Sequence, residues 1–495
     1  MQVAVVGAGL GGLSAACHLA GCGHEVVVLE KQNGPGGRCG LWEAEGFRID
    51  TGPSVLTMTG ILSDVFSAAG ADMADHLTLH PVDPMYRATF PASVGGEMRV
   101  RHGRPAMTEE IRRECGNKEA EAFGRFCDWL TKLERRVLPD FIDRNFNNIA
   151  SIASPLWPAL DLVRLGGFRK LATVVQSYFD DPRLVQLFSF QSLYAGLSPF
   201  DALAVYSVIT YMDTVEGVFF PQGGMHAVSR GLAAAAGKAG ATFRYGVEAD
   251  RVVRRTGTSG PAIGVRLADG ELVRADAVVL NPDLPVAYRT LLPEVPVPVR
   301  VRRAEFSPSC ALWLAGVRGE APAGAAHHNI HFGDYNSAFK ALIGDGDLQP
   351  DPSILVSLQN HTDPTLAPEG CTTIYALEPT PHLGGRPDWT FERERVRERL
   401  MAHVRAEGYP VDDVVVERFV DPMDWERMGM DKGAPFAMSH RFLQTGPFRA
   451  KNIDRRIPGV VFVGSGTQPG VGVPIVLLSG RLAAERVDEL AEVRA

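Results

Sequence analysis

Three short glycine blocks hold the residues whose types and spacing could do chemistry. In Gly7-Ala8-Gly9-Leu10-Gly11-Gly12, the residues Gly7, Gly9 and Gly12 satisfy G-x-G-x-x-G, with Gly11 as an extra glycine inside it. In that pattern the first glycine allows a tight turn and the second brings backbone amides against a pyrophosphate. The third lets a helix pack closely on a strand. Glu30 lies about 20 residues beyond, where a carboxylate accepts hydrogen bonds from both ribose hydroxyls of an adenosine and repels a 2′-phosphate. Asn33-Gly34-Pro35-Gly36-Gly37-Arg38 is a second glycine turn, in which Arg38 follows Gly37 as a cation for the same diphosphate; Gly52-Pro53-Ser54 comes soon after. The third block is near the other end, Gly464-Ser465-Gly466-Thr467-Gln468-Pro469-Gly470-Val471-Gly472-Val473-Pro474.

The elements that must position these blocks can be read beside them. Val3 to Val6 is a short run of apolar, mostly β-branched residues, the pattern of a strand buried on both faces. Leu13 to Ala20 reads as a small-residue helix, and Val26 to Glu30 as a second strand, so the first motif stands in a strand–turn–helix–strand context. A simple nicotinamide dehydrogenase would continue into a third strand–helix unit, whereas this chain supplies the second glycine turn; the reading is therefore FAD. Ala277 to Leu280 is another buried strand and delivers Asn281, while Val247, after the Tyr245-Gly246 turn, is placed where backbone would meet the adenine edge. Val460 to Val463 leads into the third block, and a helix from Ile475 to Glu489 follows with Pro474 at its first position. A helix N-terminus there would favour negative charge on a reduced isoalloxazine.

The intervening sequence is read as framework and substrate-binding parts. Residues 108–212 are expected to be mostly helical. Asp181-Pro182 opens one helix, Arg183 to Ala195, closed by Gly196, and Ser198-Pro199 opens another through about Met212. Leu187, Phe188, Phe190, Leu193, Tyr194, Phe200, Leu203, Tyr206 and Tyr211 place apolar side chains around much of these helices, as core or as cavity lining. Ser154 to Leu160, with Leu162, Leu165, Phe168 and the cations Arg164, Arg169 and Lys170, has the mix of an interfacial anchor or of an amphipathic helix packed on its own protein. A β-meander is expected from Ala241 to Arg274, with a hairpin at Asp269-Gly270. Strands at Cys310 to Leu314, Ser353 to Leu358 and Thr372 to Leu377, with an amphipathic helix from Phe391 to Glu407, form a substrate domain.

Composition bounds the rest. The chain has 495 residues, a formal charge of −8 and ordinary apolar and charged fractions, which exclude wholesale disorder and argue against broad nucleic-acid binding. Seven scattered cysteines without a CxxC pair argue against iron–sulfur and structural zinc sites, and no metal is expected. Ile457 to Gly480 is uncharged but contains Pro458, Pro469, Pro474 and six glycines, so it is not a spanning helix. Met1 to Val6 reads as a strand and not as a signal peptide.

Taken with Phe188-Ser189-Phe190-Gln191-Ser192-Leu193, Phe220-Pro221-Gln222-Gly223-Gly224-Met225 and Leu366-Ala367-Pro368-Glu369-Gly370-Cys371, these blocks resemble the bacterial-type phytoene (carotenoid) desaturases of the flavin amine-oxidase superfamily. The resemblance runs nearly the whole chain. It departs at Gln468, where many members have His, and at Ile475, where Gly is common. It implies an α/β fold: a Rossmann-type FAD-binding domain in the two-dinucleotide-binding layout, with an inserted β-sheet substrate domain and a helical membrane or lid region. The expected divisions are 1–75, 215–290 and 450–495 for the FAD-binding domain, 76–107 and 291–449 for the substrate domain, and 108–214 for the helical region. Gly36-Gly37, Gly52, Gly223-Gly224 and Gly464 to Gly472 are expected to follow one extended FAD. The implied activity is double-bond introduction into an acyclic, phytoene-like polyene by hydride transfer to flavin N5 and proton loss. The protein is expected to be cytoplasmic and peripheral at a membrane surface, with oxygen or a quinone as terminal acceptor. No catalytic residue is assigned; Asp128 is the nearest acid/base candidate, with a solvated surface acid as its plainer reading. Alternatives on the same scaffold are a carotenoid isomerase, a ketolase, an amine oxidase, or a non-enzymatic isoprenoid-binding escort.

Overall fold

A computed structural model describes residues 1–146, 156–257 and 259–494. Its first sheet has five parallel strands in the order Val460–Phe462, Ala277–Leu280, Gln2–Val6, Glu25–Glu30, Thr242–Tyr245. The central strand Gln2–Val6 is buried beyond its first residue, as its β-branched run requires. Strands from three distant parts of the chain thus end side by side, and the loops leaving their C-terminal ends converge on one crevice.

The helix Leu10–Gly21 leaves the first strand inside the glycine motif, three residues earlier than the sequence reading placed it. It packs on the long C-terminal helix Val473–Arg494 through small residues: Ser14 Oγ donates to the Leu477 carbonyl at 2.7 Å, and a Cβ on Gly480 would lie 2.5 Å from that of Ser14. At Gly12 a Cβ would fall 2.1 Å from the Gly7 carbonyl oxygen, which is the close helix–strand contact expected of the third motif glycine.

A second, mixed sheet has seven strands in the order Val414–Val420, Ser309–Arg318, Cys371–Thr380, Ile354–Ser357, His328–His331, Tyr86–Thr89, Glu97–Val100. Every pairing in it is antiparallel except that of His328–His331 with Tyr86–Thr89. The expected meander is a three-stranded antiparallel sheet of Ala249–Arg254, Ala262–Leu267 and Leu272–Arg274, with the hairpin at Asp269-Gly270 in place. Its expected first strand, Thr242–Tyr245, instead forms the edge of the parallel sheet. Tyr245 leads directly to Gly246, whose amide bonds the Gln32 carbonyl, and so the strand stays with Glu25–Glu30.

The helical region comprises Arg104–Cys115, Asn117–Val137, Leu156–Arg164, Leu171–Gln176, Pro182–Leu187 and Val208–Thr214. Two of the expected helices are shorter than read. Asp181 does cap Pro182–Leu187, accepting from the Arg183 amide, but the helix breaks at Phe188 and resumes as a 3-10 turn, Phe190–Ala195. Ser189 turns its hydroxyl back onto the Val185 carbonyl and across to the Tyr335 hydroxyl, diverting the chain there. After Ser198-Pro199 the α-helix begins only at Val208. Of the interfacial-anchor segment, Ser154 and Pro155 lie outside the described residues. No helix among the described residues is long and apolar enough to cross a membrane.

Candidate functional site

A cavity of about 1380 Å³ runs between the two large sheets. That exceeds the ~300–1,000 Å³ of an ordinary small-molecule site and leaves room for more than one ligand. One end is walled by backbone, the other by apolar side chains.

The backbone wall is assembled from the glycine blocks. Gly9 and Gly36 form a parallel bridge, and the Gly36 amide bonds the Ala8 carbonyl at 2.8 Å. The third block meets the first at Gly11, where a Cβ would stand 3.2 Å from the Cα and N of Gly464. Asn281 sits between them: its Nδ2 donates to the Gly7 carbonyl at 3.4 Å, and Cβ atoms on Gly9, Gly11 or Gly464 would approach its amide group to 2.8–2.9 Å. The helix Leu10–Gly21 has Gly9 as N-cap with no capping side chain, so no side chain covers its first amides, and Gly9, Leu10 and Gly11 all line the cavity.

Glu30, at the end of its strand and only 6% exposed, accepts from the Ala8 amide at 2.7 Å through one carboxylate oxygen and from the Gln32 amide at 2.9 Å through the other. These bonds fix the carboxylate in place, and each oxygen keeps a second acceptor site. The Val247 amide bonds the Glu30 carbonyl, placing Val247 beside it on the cavity wall. Arg38 donates to Ser465 Oγ at 2.6 Å and thereby joins the second block to the third. Burial lowers the Arg38 pKa and the Asp283 carboxylate offsets part of that loss; burial likewise raises Asp283. A buried cation with one acidic neighbour is suited to an anion.

Gly7, Gly9, Gly11, Glu30, Gly37, Arg38, Pro53, Ser54, Val247, Asn281, Gly464, Gly472 and Val473 all line this cavity. Gly12 stands beneath it, in the helix–strand contact described above. Gly223 and Gly224, expected along the same path, do not reach it. They hold buried acids instead: the Gly223 amide bonds Asp363 at 2.6 Å, and a Cβ on Gly224 would fall 2.8 Å from Asp50. Asp50 accepts from the amides of Met225 and His226 at the start of the helix His226–Lys238, and burial raises its pKa to about 7.

The loop Gly464 to Pro474 is supported by a residue that sequence reasoning missed. Arg449 is 2% exposed and donates to the carbonyls of Thr467, Ser465, Met438 and Gln444. Gln468 turns away from the cavity, its amide donating to the Gly446 carbonyl at 3.1 Å; it has a structural role. Asp128 is on the surface, 57% exposed and paired with Arg104, which holds its carboxyl below the usual range. It takes no part in the cavity.

The apolar end is built from both sheets and the helical region. Phe190 meets Phe332 edge-on at 5.6 Å, and Tyr335 meets Phe339 in the same way at 5.0 Å. Leu193, Tyr194, Leu203 and Tyr206 line the space, while Leu187 and Phe188 are core and Phe200 is exposed. One acid faces this end. Asp213, 3% exposed, lies on Val208–Thr214 with the Tyr86 hydroxyl and Gln191 Nε2 each 3.4 Å from Oδ2 and the Thr214 hydroxyl 2.9 Å from Oδ1. The signal in sequence was a lone acid closing an apolar run, one residue past the point where that helix was read to end. Among the described residues no cluster of His, Cys, Asp or Glu could hold a metal ion.

Residues 10–488 match the family model described as flavin containing amine oxidoreductase. The chain is 44% identical to the phytoene dehydrogenase of Streptomyces griseus over 98% of its own length and 95% of the relative's. It is 35% identical to the zeta-carotene-forming phytoene desaturase of Myxococcus xanthus, over 98% and 93% of the two chains. Among solved structures, cyclohexylamine oxidase from Brevibacterium oxydans superposes with a TM-score of 0.61 at 18% identity over 99% of both chains, a likeness of fold alone.

Proposed function

The chain belongs to the flavin-containing amine oxidoreductases, and we infer that it is an FAD-dependent desaturase that introduces double bonds into an acyclic carotenoid precursor. The observation that carries this reading is the continuity of one cavity from a glycine wall to an apolar chamber. The family also includes amine oxidation, but a long hydrocarbon offers no polar handle. Its recognition falls to the length and shape of an apolar wall, and that is what Phe190, Phe332, Tyr335 and Phe339 supply.

The residues present fit FAD. Gly9 and Gly11 expose amides where any Cβ would collide with Asn281, Arg38 sets a cation beside them, and Glu30 is held with free acceptor capacity at the strand end. In this reading Gly7, Gly9, Gly11, Gly37, Arg38, Pro53, Ser54, Gly464, Gly472 and Val473 hold the diphosphate and ring system. Glu30, Val247 and Asn281 hold or abut the adenosine and the joining loops, and Gly12 packs the helix. FAD, when bound, supplies a two-electron acceptor for a hydride from an allylic carbon. Around it the Gly464–Pro474 loop, braced by Arg449, fixes the cofactor wall, and the aromatic chamber excludes water and aligns the polyene. Oxygen or a quinone would serve as the terminal electron acceptor.

The domain assignment follows the same reading: the parallel sheet for FAD, the seven-stranded sheet for substrate, the helical region as a lid. Membrane docking is assigned to Leu156–Arg164 and its C-terminal flank. Leu160, Val163 and Phe168 are 46%, 62% and 46% exposed beside Arg164, Arg169 and Lys170, and Leu162 and Phe168 also line the cavity. Such a surface would admit a lipid-dissolved substrate without a passage through water.

The test is to incubate the FAD-loaded protein with phytoene in liposomes under oxygen or a quinone and to separate the pigments chromatographically. Products with added conjugated double bonds are expected. Geometric isomers or oxygenated products without desaturation would move the assignment to an isomerase or ketolase.

A further inference from the structure

The cavity holds four acids, and three have other duties. Glu30 is fixed by the Ala8 and Gln32 amides, Asp283 accepts from the Leu284 and Asp431 amides and faces Arg38, and Glu248 lies exposed beside Val247. His440, the buried histidine on the wall, has both ring nitrogens engaged, Nε2 by the Val471 amide and Nδ1 by the Thr445 hydroxyl. Asp213 is different. The Thr214 hydroxyl holds its Oδ1 at 2.9 Å, but Tyr86 and Gln191 reach Oδ2 only at 3.4 Å, and its neighbours Ile209 and Met212 on the same helix line the apolar chamber.

Its position bridges the two ends of the cavity. The Tyr86 ring lies 5.6 Å from that of His328, and His328 Nε2 is hydrogen bonded to the Ser54 carbonyl at 3.0 Å. Asp213 is thus connected through Tyr86 and His328 to the Gly52–Ser54 part of the glycine wall, while its own helix belongs to the apolar part. Tyr194, on the turn Phe190–Ala195, is the second phenol facing it, and it is 37% exposed although burial raises its pKa, its open side being the cavity.

We propose that Asp213 is the proton acceptor of the desaturation. The assignment rests on the desaturase reading. As a hydride leaves one allylic carbon for FAD, the C–H bond on the adjacent carbon breaks. Its proton goes to an Asp213 oxygen, and its electron pair becomes the new double bond. The polyene is oxidised by two electrons and FAD reduced by two; Asp213 then releases the proton to water. The titratable groups facing Asp213 are the phenols Tyr86 and Tyr194, with the neutral His328 behind Tyr86, and burial brings Asp213 to about 7, the range in which a general base works best.

The experiment is anaerobic mixing of FAD-loaded protein with phytoene liposomes, following flavin bleaching against pH for the wild type, Asp213→Asn and Asp213→Glu. Wild-type bleaching should accelerate through about pH 7 to a plateau. Asp213→Asn, at full flavin content, should be about 100- to 10,000-fold slower and lack that limb, and Asp213→Glu should restore a limb. An infrared pH titration of the oxidised protein without substrate should show carboxyl intensity titrating near pH 7, to which buried Asp50 and Glu378 also contribute, and Asp213→Asn should remove one component of it while theirs remain. The proposal is overturned if Asp213→Asn bleaches within about threefold of wild type and keeps the limb, since a general base contributes far more than that. Absence of that titrating intensity in the wild type overturns it equally, even if Asp213→Asn fails to fold. If wild-type flavin is not bleached by phytoene while that intensity is present, the desaturase reading itself has failed.

Discussion

Gly11, near the start of the chain, and Gly464, near its end, stand backbone to backbone: a Cβ on Gly11 would lie 3.2 Å from both the Cα and N of Gly464. The cofactor wall therefore exists only when the two termini of the chain have come together, with Asn281 between them. Gly11→Val would force the two loops apart. The expected outcome is a loss of stability of about 1–3 kcal/mol, the cost of overpacking, and at least about a tenfold lower ratio of bound FAD to protein. Thermal unfolding and flavin absorbance would read the two effects.

Glu30 tests the proposed adenosine end. Its carboxylate is held by two backbone amides and keeps acceptor capacity toward the cavity. Glu30→Ala is expected to weaken FAD binding by about 10- to 150-fold, the equivalent of about 1.5–3 kcal/mol for a hydrogen bond to a charged group. Fluorescence titration of the FAD-free protein would measure it.

Asp213 makes a prediction about stability that does not depend on substrate. Burial raises its carboxyl to about 7, whereas in the unfolded chain it ionises near 4. Between those values the folded protein keeps a proton that the unfolded chain has released, so this group's contribution to stability falls as pH rises through the window. Asparagine cannot ionise. The stability of Asp213→Asn relative to wild type should therefore increase from pH 4 to pH 8, by up to about 4 kcal/mol for a shift of about three pH units. Chemical denaturation at each pH would show this; a constant difference contradicts the environment assigned to Asp213.

The exposed apolar residues Leu160, Val163 and Phe168 bear on membrane docking. Replacing all three with serine should lower binding to anionic vesicles by at least about tenfold, since each apolar side chain removed from water contributes about 1.5–3 kcal/mol when fully buried. Flotation would read binding. An unchanged melting temperature would separate the effect from unfolding.

Much of the site was legible because glycine spacing is a local signal. Gly7, Gly9 and Gly12 declare their turn within six positions, and Glu30 follows at the end of the next strand. Gly223 and Gly224 look the same in sequence, yet they accommodate the carboxylates of Asp363 and Asp50, partners far away in the chain. Thr242–Tyr245 was misassigned for the same kind of reason: its alternation fits a meander strand, and only its register with Glu25–Glu30 decides otherwise. The break at Ser189 depends on the Tyr335 hydroxyl, and the role of Arg449 depends on four carbonyls brought to it by the fold. Asp213 acquires its environment from Tyr86, on a strand of the seven-stranded sheet. Such residues become visible only when the chain has closed on itself.

In the proposed reaction a hydrocarbon polyene would deliver its electrons to FAD held in this cavity. Anaerobic single-turnover mixing of the FAD-loaded protein with a slight excess of phytoene in liposomes tests it most directly, with the flavin spectrum and extracted pigment measured on the same sample. Stoichiometric bleaching of the flavin is expected, with one new double bond formed per flavin reduced. Purified protein that neither carries nor takes up FAD, or a flavin that stays oxidised while phytoene is recovered unchanged, would contradict it.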